Sequence, residues 1–163
     1  MWRIAFIMVF FIAVNAYAQS SEKFKIIKTS EFEGAIIPKE QVSQLKYFEE
    51  KREAYWTPTK QDILEAEKLS KNYLEKYNGD DKYIKTSIAT ILSRLGKYKR
   101  QYVGLIEENG NKTIWINYFY DNGSFSKWDK NLVFVLDGGS SFFNIKANLS
   151  KKECYDLRIN GVA

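Results

Sequence analysis

Ile63, Ala66, Ser70, Tyr73, Leu74 and Tyr77 return at steps of three and four residues, while Glu65, Lys68, Asn72, Glu75 and Lys76 fill the intervals. That spacing describes a helix with one apolar stripe. Thr59 stands at the N-cap position, Asp62 three residues later suits the positive end of the helix dipole, and Asn78-Gly79 ends the run. The predicted helix, Thr59 to Tyr77, must lay its stripe on something flat. Ile84, Ile88, Ile91, Leu92 and Leu95 predict a second, shorter helix that stops at Gly96.

Beyond Gly96 the period falls to two. Gln101 to Glu107 and Thr113 to Phe119 flank Glu108-Asn109-Gly110-Asn111, a β-hairpin about an Asn-Gly turn. Asp121-Asn122-Gly123-Ser124 makes another turn and Leu132 to Leu136 a further strand. Ser141 to Asn148 and Glu153 to Asn160 then form a last hairpin. Helices followed by a run of strands predict an α+β domain, its helices packed on one face of a four- to five-stranded antiparallel meander. In the last hairpin, strict alternation sends Tyr155, Leu157 and Ile159 toward the helix and Cys154, Asp156, Arg158 and Asn160 away from it.

Upstream the pattern is weaker. Phe24-Lys25-Ile26-Ile27 reads as a short strand, Pro38 to Ala54 has faint helical character, and Tyr55-Trp56-Thr57-Pro58 interrupts the chain. At the start, Arg3, the apolar run Ile4 to Val14 and Ala16-Tyr17-Ala18 have the charge, length and small-residue ending of a signal peptide. Cleavage is expected near Gln19. The expected organisation is therefore a signal peptide at 1–18, an extension at 19–58 and an α+β domain at 59–163. The mature protein is expected in the periplasm or outside the cell, with no stable membrane anchor.

Composition mainly removes possibilities. The chain has no histidine, so imidazole-activated nucleophiles and nearly all familiar zinc sites are excluded. Cys154 is the one cysteine, so no internal disulfide can form. The formal net charge of +5 is mild, and basic residues concentrate only at Lys97-Tyr98-Lys99-Arg100-Gln101-Tyr102. Basic and aromatic residues interleaved in this way suit a polyanion, but an exported protein seldom meets nucleic acid, and the stretch reads as a solvated strand edge.

Asp137-Gly138-Gly139-Ser140-Ser141 invites a phosphate-loop reading. Such a loop runs from a strand into a helix whose amides hold the anion. Here Phe143, Ile145, Ala147 and Leu149 alternate with polar residues, so a strand follows and the glycine pair is expected to bend it. Glu107, Glu108, Asp121, Asp129 and Asp137 are the carboxylates available for hydrolytic chemistry. They share no spacing motif, and the turn at Asp121 lacks the ligand pattern of a calcium loop.

Tyr98-Lys99-Arg100-Gln101-Tyr102-Val103-Gly104, Ile114-Trp115-Ile116-Asn117-Tyr118-Phe119, Asp137-Gly138-Gly139 and the closing Asn160-Gly161-x-Ala163 resemble a family of small exported Bacteroidetes proteins of unknown function. The resemblance covers roughly the last hundred residues and implies location and fold type, but no activity. The element order also resembles the cystatin-like architecture shared by cystatins and PepSY-type modules, a helix wrapped by an antiparallel sheet. Gln101-Tyr102-Val103-Gly104-Leu105 is one residue short of the cystatin inhibitory Gln-x-Val-x-Gly and lies at a strand start rather than a hairpin tip. The analogy therefore carries the fold and not protease inhibition.

These readings converge on an exported, non-catalytic binding or interaction module without cofactor or metal, whose partner is a protein or glycan of the envelope or exterior. Trp115, Asn144, Lys146, Asp156 and Arg158, on the sheet face away from the helix, are the expected ligand surface. The alternative is a small carboxylate-dependent hydrolase of envelope glycans, which two carboxylates sharing one cleft would favour.

Overall fold

The computed structural model describes residues 24–42, 45 and 54–162. The expected signal peptide lies outside them. Among the described residues the fold is α+β, with three α-helices and one seven-stranded sheet.

The long hairpin is the spine. Strand β4 (Tyr98–Ile106) pairs with β5 (Lys112–Tyr120) over nine residue pairs, from Tyr98 opposite Tyr120 to Ile106 opposite Lys112. The turn between them uses Gly110 at φ 81°, a left-handed conformation that glycine adopts without strain. β5 continues antiparallel to β6 (Phe142–Asn148), and β6 to the edge strand β7 (Glu153–Ile159). This part is the predicted meander.

The strand count is larger than predicted because the segment before Thr59 joins the same sheet. β1 (Lys25–Lys28) and β2 (Glu33–Ile36) form a hairpin, and β2 runs parallel to β4 along Lys99 to Tyr102. α1 (Lys39–Val42) is a single turn. β3 (Ala54–Trp56) takes the rest of the same β4 edge, antiparallel, opposite Gly104 to Ile106. Gly104 has to lack a side chain, because a Cβ there would collide with the Trp56 carbonyl.

Both sheet faces are covered. α2 (Lys60–Glu75) begins with a full capping box, the Thr59 hydroxyl accepting from the Asp62 N–H and the Asp62 carboxylate from the Thr59 N–H. It buries Ile63, Ala66, Ser70 and Leu74 in a core that also holds Tyr102, Ile116, Phe143 and Ile145. α3 (Lys82–Ser93), capped by Asp81, adds Ile88 and Ile91. On the other face Ala35, Ile37, Val103, Leu105, Trp115 and Phe119 pack under Trp128 and Val133.

Two expectations are corrected here. Leu132 to Leu136 is not a strand. The segment crosses the sheet face instead of joining its edge, and side-chain amides satisfy its backbone. Val133 N–H donates to Gln101 Oε1 at 2.8 Å, its carbonyl accepts from Asn117 Nδ2 at 2.8 Å, and Asn160 Nδ2 donates to the Val135 and Asp137 carbonyls. In β7 the strict alternation fails at a bulge. Asn144 pairs with Arg158 and Lys146 with Tyr155, and Asp156 sits at φ 53°. Cys154 therefore packs against the helix-side core beside Leu157 and Ile159, while Tyr155 reaches Glu107 and Lys146 on the other face.

Gly138 (φ 88°) and Gly139 (φ 55°) turn the chain through a single 3-10 turn, Gly139–Ser141, into β6. A Cβ on Gly138 would stand 2.7 Å from the Phe142 ring. Replacing both glycines with alanine is expected to cost about 1–3 kcal/mol. Thermal melting checks it, and an unchanged melting temperature would refute the structural role.

Candidate functional site

A concavity of about 940 Å³ lies along the outward side of α2. α2 contributes Leu64, Glu67, Lys68, Lys71, Asn72 and Glu75. The end of α3 and the following turn contribute Leu92, Leu95 and Gly96, the β1–β2 turn contributes Ser30, Glu31 and Phe32, and β4 contributes Arg100. The stripe that packs on the sheet leaves Glu67, one position beyond Ala66, directed at the space between helix and sheet.

There Glu67 meets the fold's one deeply buried guanidinium among the described residues. Arg100, 2% exposed, donates through Nη2 to the Leu95 carbonyl at 3.0 Å and through Nη1 to the Tyr98 carbonyl. Its Nε stands 3.4 Å from Glu67 Oε1 as an ion-pair contact, without an aligned hydrogen bond. The same Oε1 accepts from the Tyr102 hydroxyl at 2.9 Å and the Tyr118 hydroxyl at 3.2 Å, and Tyr118 also donates to Ser70. The Arg100 guanidinium stacks over the Phe32 and Tyr118 rings. Burial raises the Glu67 carboxyl above its ordinary range, against the lowering pull of Arg100 and the two tyrosines. Burial beside that carboxylate pushes both phenols well above theirs.

The patch at Lys97–Tyr102 is therefore not a solvated edge. Tyr98, Arg100 and Tyr102 alternate into the helix-side core and Gln101 into the opposite one, while Lys99 pairs with Asp121 at 3.2 Å and lies over the Trp128 ring. Glu67 and Arg100 were missed from sequence because each looks like an ordinary surface charge. The available signal was the tyrosine placed either side of Arg100 at the strand period.

On the second face a smaller pocket of about 250 Å³ is lined by Trp115, Asn117, Phe142, Asn144, Arg158 and Asn160 beneath the crossing segment at Val133 to Leu136. Three of the five expected surface residues meet here. Trp115 is buried rather than displayed, and its indole N–H donates to Asn144 Oδ1 at 3.2 Å. Arg158 is exposed and held by Asp156 at 2.9 Å. Lys146 and Asp156 pair at 3.4 Å beside the pocket without lining it.

The carboxylates named from sequence are spread out. Glu107 accepts from Thr113 and Tyr155, and Asp121 from the Gly123 and Phe125 amides. Asp137 adjoins the glycine turn, where its carbonyl accepts from Asn160. Glu108 and Asp129 lie in loops, the Asp129 carbonyl accepting from the Phe24 N–H. None of the five lines the α2 cleft. Partial burial works against ionisation of Glu107, Asp121 and Asp156, but their hydrogen bonds and cations outweigh it and lower all three. Carboxyls lowered in the fold stabilise it above the ordinary carboxylate range, and that contribution is lost as pH falls through and below roughly 4. Glu67, raised, has the opposite sign. Acid should therefore weaken the protein, and Asp156→Asn, which tolerates the left-handed backbone, should flatten the fall. Urea midpoints of the two proteins at pH 6 and pH 3 check it, and parallel losses would refute the assignment.

Cys154, half-buried against the helix-side core, has its thiol pushed up to about 12 by burial and by Glu153 and Glu67, so it is chemically quiet. Comparison with protein-family models, with curated proteins and with solved structures gives no match.

Proposed function

We propose that the protein is an exported, non-catalytic binding module that seats a segment of a partner protein in the α2 cleft. The observation that carries this reading is the composition of the cleft on a rigid frame. Phe32, Leu64, Leu92 and Leu95 offer apolar contacts between charges of both signs, Lys68 and Lys71 against Glu31 and Glu75. A peptide supplies apolar side chains and both charges along one strand, so it complements such walls. The Glu67–Arg100–Tyr102–Tyr118 cluster ties α2 to β4 and holds the cleft open before the partner arrives. A long helix against an antiparallel meander also supports the cystatin-like description of this architecture, and the leading apolar run with its small-residue ending supports export.

The second reading, a carboxylate-dependent hydrolase, draws on one feature. Glu31, Glu67 and Glu75 share the cleft, and Glu67 has the buried setting of a general acid. Glu31 and Glu75 are exposed at the rim, which leaves Glu67 without a buried second carboxyl among the described residues. The binding reading therefore stands first.

Affinity capture from an envelope extract, with wild type and with Lys68→Glu/Lys71→Glu, tests it. Both lysines are exposed, so the variant should fold normally and lose the captured protein. Undiminished capture overturns the cleft as the seat. Turnover of envelope glycans that disappears in Glu67→Gln replaces binding with hydrolysis. Intact mass of the protein recovered from envelope or medium tests export, and a retained Met1 to Ala18 refutes it.

A further inference from the structure

The pocket on the second face is separate from the α2 cleft, and its polar atoms are specified more sharply. Three amides line it, and in each the orientation is fixed by a partner that can only donate or only accept. Asn117 Nδ2 donates to the Val133 carbonyl, and Asn160 Nδ2 donates to the carbonyls of Val135 and Asp137. Asn144 Oδ1 accepts from the indole N–H of Trp115. Among the described residues the other end of each amide forms no hydrogen bond: Asn117 Oδ1 and Asn160 Oδ1 remain as acceptors, and Asn144 Nδ2 as a donor. Asn117 is only 9% exposed, so its oxygen sees little besides the pocket. Arg158 adds a guanidinium at the mouth, and Phe134 and Leu136, exposed at 59% and 79%, stand over it with Phe142.

This arrangement discriminates among ligands. A phosphate or carboxylate only accepts, and it would face the oxygens of Asn117 and Asn160. An ammonium only donates, and it would face Asn144 Nδ2 and Arg158. Either ligand leaves a polar group desolvated without a partner, at a cost of about 1–3 kcal/mol. A hydroxyl both donates and accepts, so neighbouring hydroxyls on one ring satisfy both kinds of atom together. The C–H face of the same ring suits Phe134, Leu136 and Phe142. We propose that the pocket framed by Asn117, Asn144, Asn160 and Arg158 binds a neutral sugar residue of a glycan chain.

The test uses glucose, mannose, galactose and N-acetylglucosamine oligomers on an array, with a decapeptide array beside it. Titration of the oligomer that binds then follows tryptophan fluorescence. Wild type should bind at least one oligomer saturably. Asn144→Asp keeps the acceptor for Trp115 and removes the free donor, so it should weaken binding roughly tenfold with melting unchanged. Leu136→Asp, at an exposed position, should weaken it as well. Lys68→Glu/Lys71→Glu should leave sugar binding intact, which separates this site from the α2 cleft. No oligomer bound, binding insensitive to both pocket variants, or peptides bound in place of sugars would each overturn the proposal.

Discussion

Arg100→Met should cost about 3–5 kcal/mol at neutral pH, because it strands the Glu67 carboxylate in the helix-side core with only neutral donors around it. The methionine keeps most of the volume, so the loss reports charge and hydrogen bonding rather than a cavity. In wild type, Arg100 also satisfies the Tyr98 and Leu95 carbonyls, which end the turn leading into β4. Two controls give the prediction a signature. Adding Glu67→Gln should recover much of the loss, since the stranded charge is then gone. The single variant should also recover as pH falls, because Glu67, already raised in wild type, takes up its proton more readily without its cation. Urea unfolding of wild type, single and double variants at pH 7 and pH 5 decides it. Equal losses in both variants at both pH values would mean that Arg100 acts through packing alone.

Gln101→Leu should be comparably damaging on the opposite face. Gln101 is fully buried, and its amide is saturated. Nε2 donates to the Trp128 and Asn131 carbonyls at 2.7 Å each, and Oε1 accepts from Val133 N–H at 2.8 Å and Asn117 Nδ2 at 3.3 Å. A leucine fits the space and leaves four groups to find new partners. At about 1–3 kcal/mol for each buried group left unpaired, and with partial relaxation, the loss should reach on the order of 4 kcal/mol. It should also be local first. Amide hydrogen exchange in residues 128–135 should accelerate well before that of β5 and β6, and uniform acceleration would refute the role of Gln101 as the tie for that segment.

These two residues show what the sequence withholds. The capped helix at Thr59, the Asn-Gly hairpin and the last hairpin were legible because local chemistry and periodicity agree with the final structure. Arg100 and Gln101 sit next to each other in a stretch that reads as a wet edge, and only strand alternation between two covered faces makes both of them interior. The cover itself was hidden. β1 to β3 are three or four residues each, too short for a period to emerge, and Val133 to Leu136 has apolar content but pairs with side chains rather than with a strand. The register of β7 was lost at Asp156 because a bulge adds one residue, and alternation counted through it inverts. Of the expected ligand surface, Trp115, Asn144 and Arg158 meet because they lie near the bulge on adjacent strands. Glu67, from a helix distant in sequence, could be placed against Arg100 only once the fold was known.

The divided edge of β4 sets an order of assembly. β4 joins β5 and β6 joins β7 through tight turns, β5 reaches β6 across residues 121–141, and each pairs with the strand just made. β2 and β3 must wait for an edge that lies far downstream, since Glu33 pairs with Lys99 and Trp56 with Gly104. β2 and β3 are thus expected to dock last, because closing such long loops is favourable only after the meander has formed. In the interval β4 presents an unpaired apolar edge to any neighbouring copy. The time this protein spends at risk of aggregating is therefore governed by how fast its N-terminal strands dock, and slowing that docking should lower its yield even where the finished fold is no less stable.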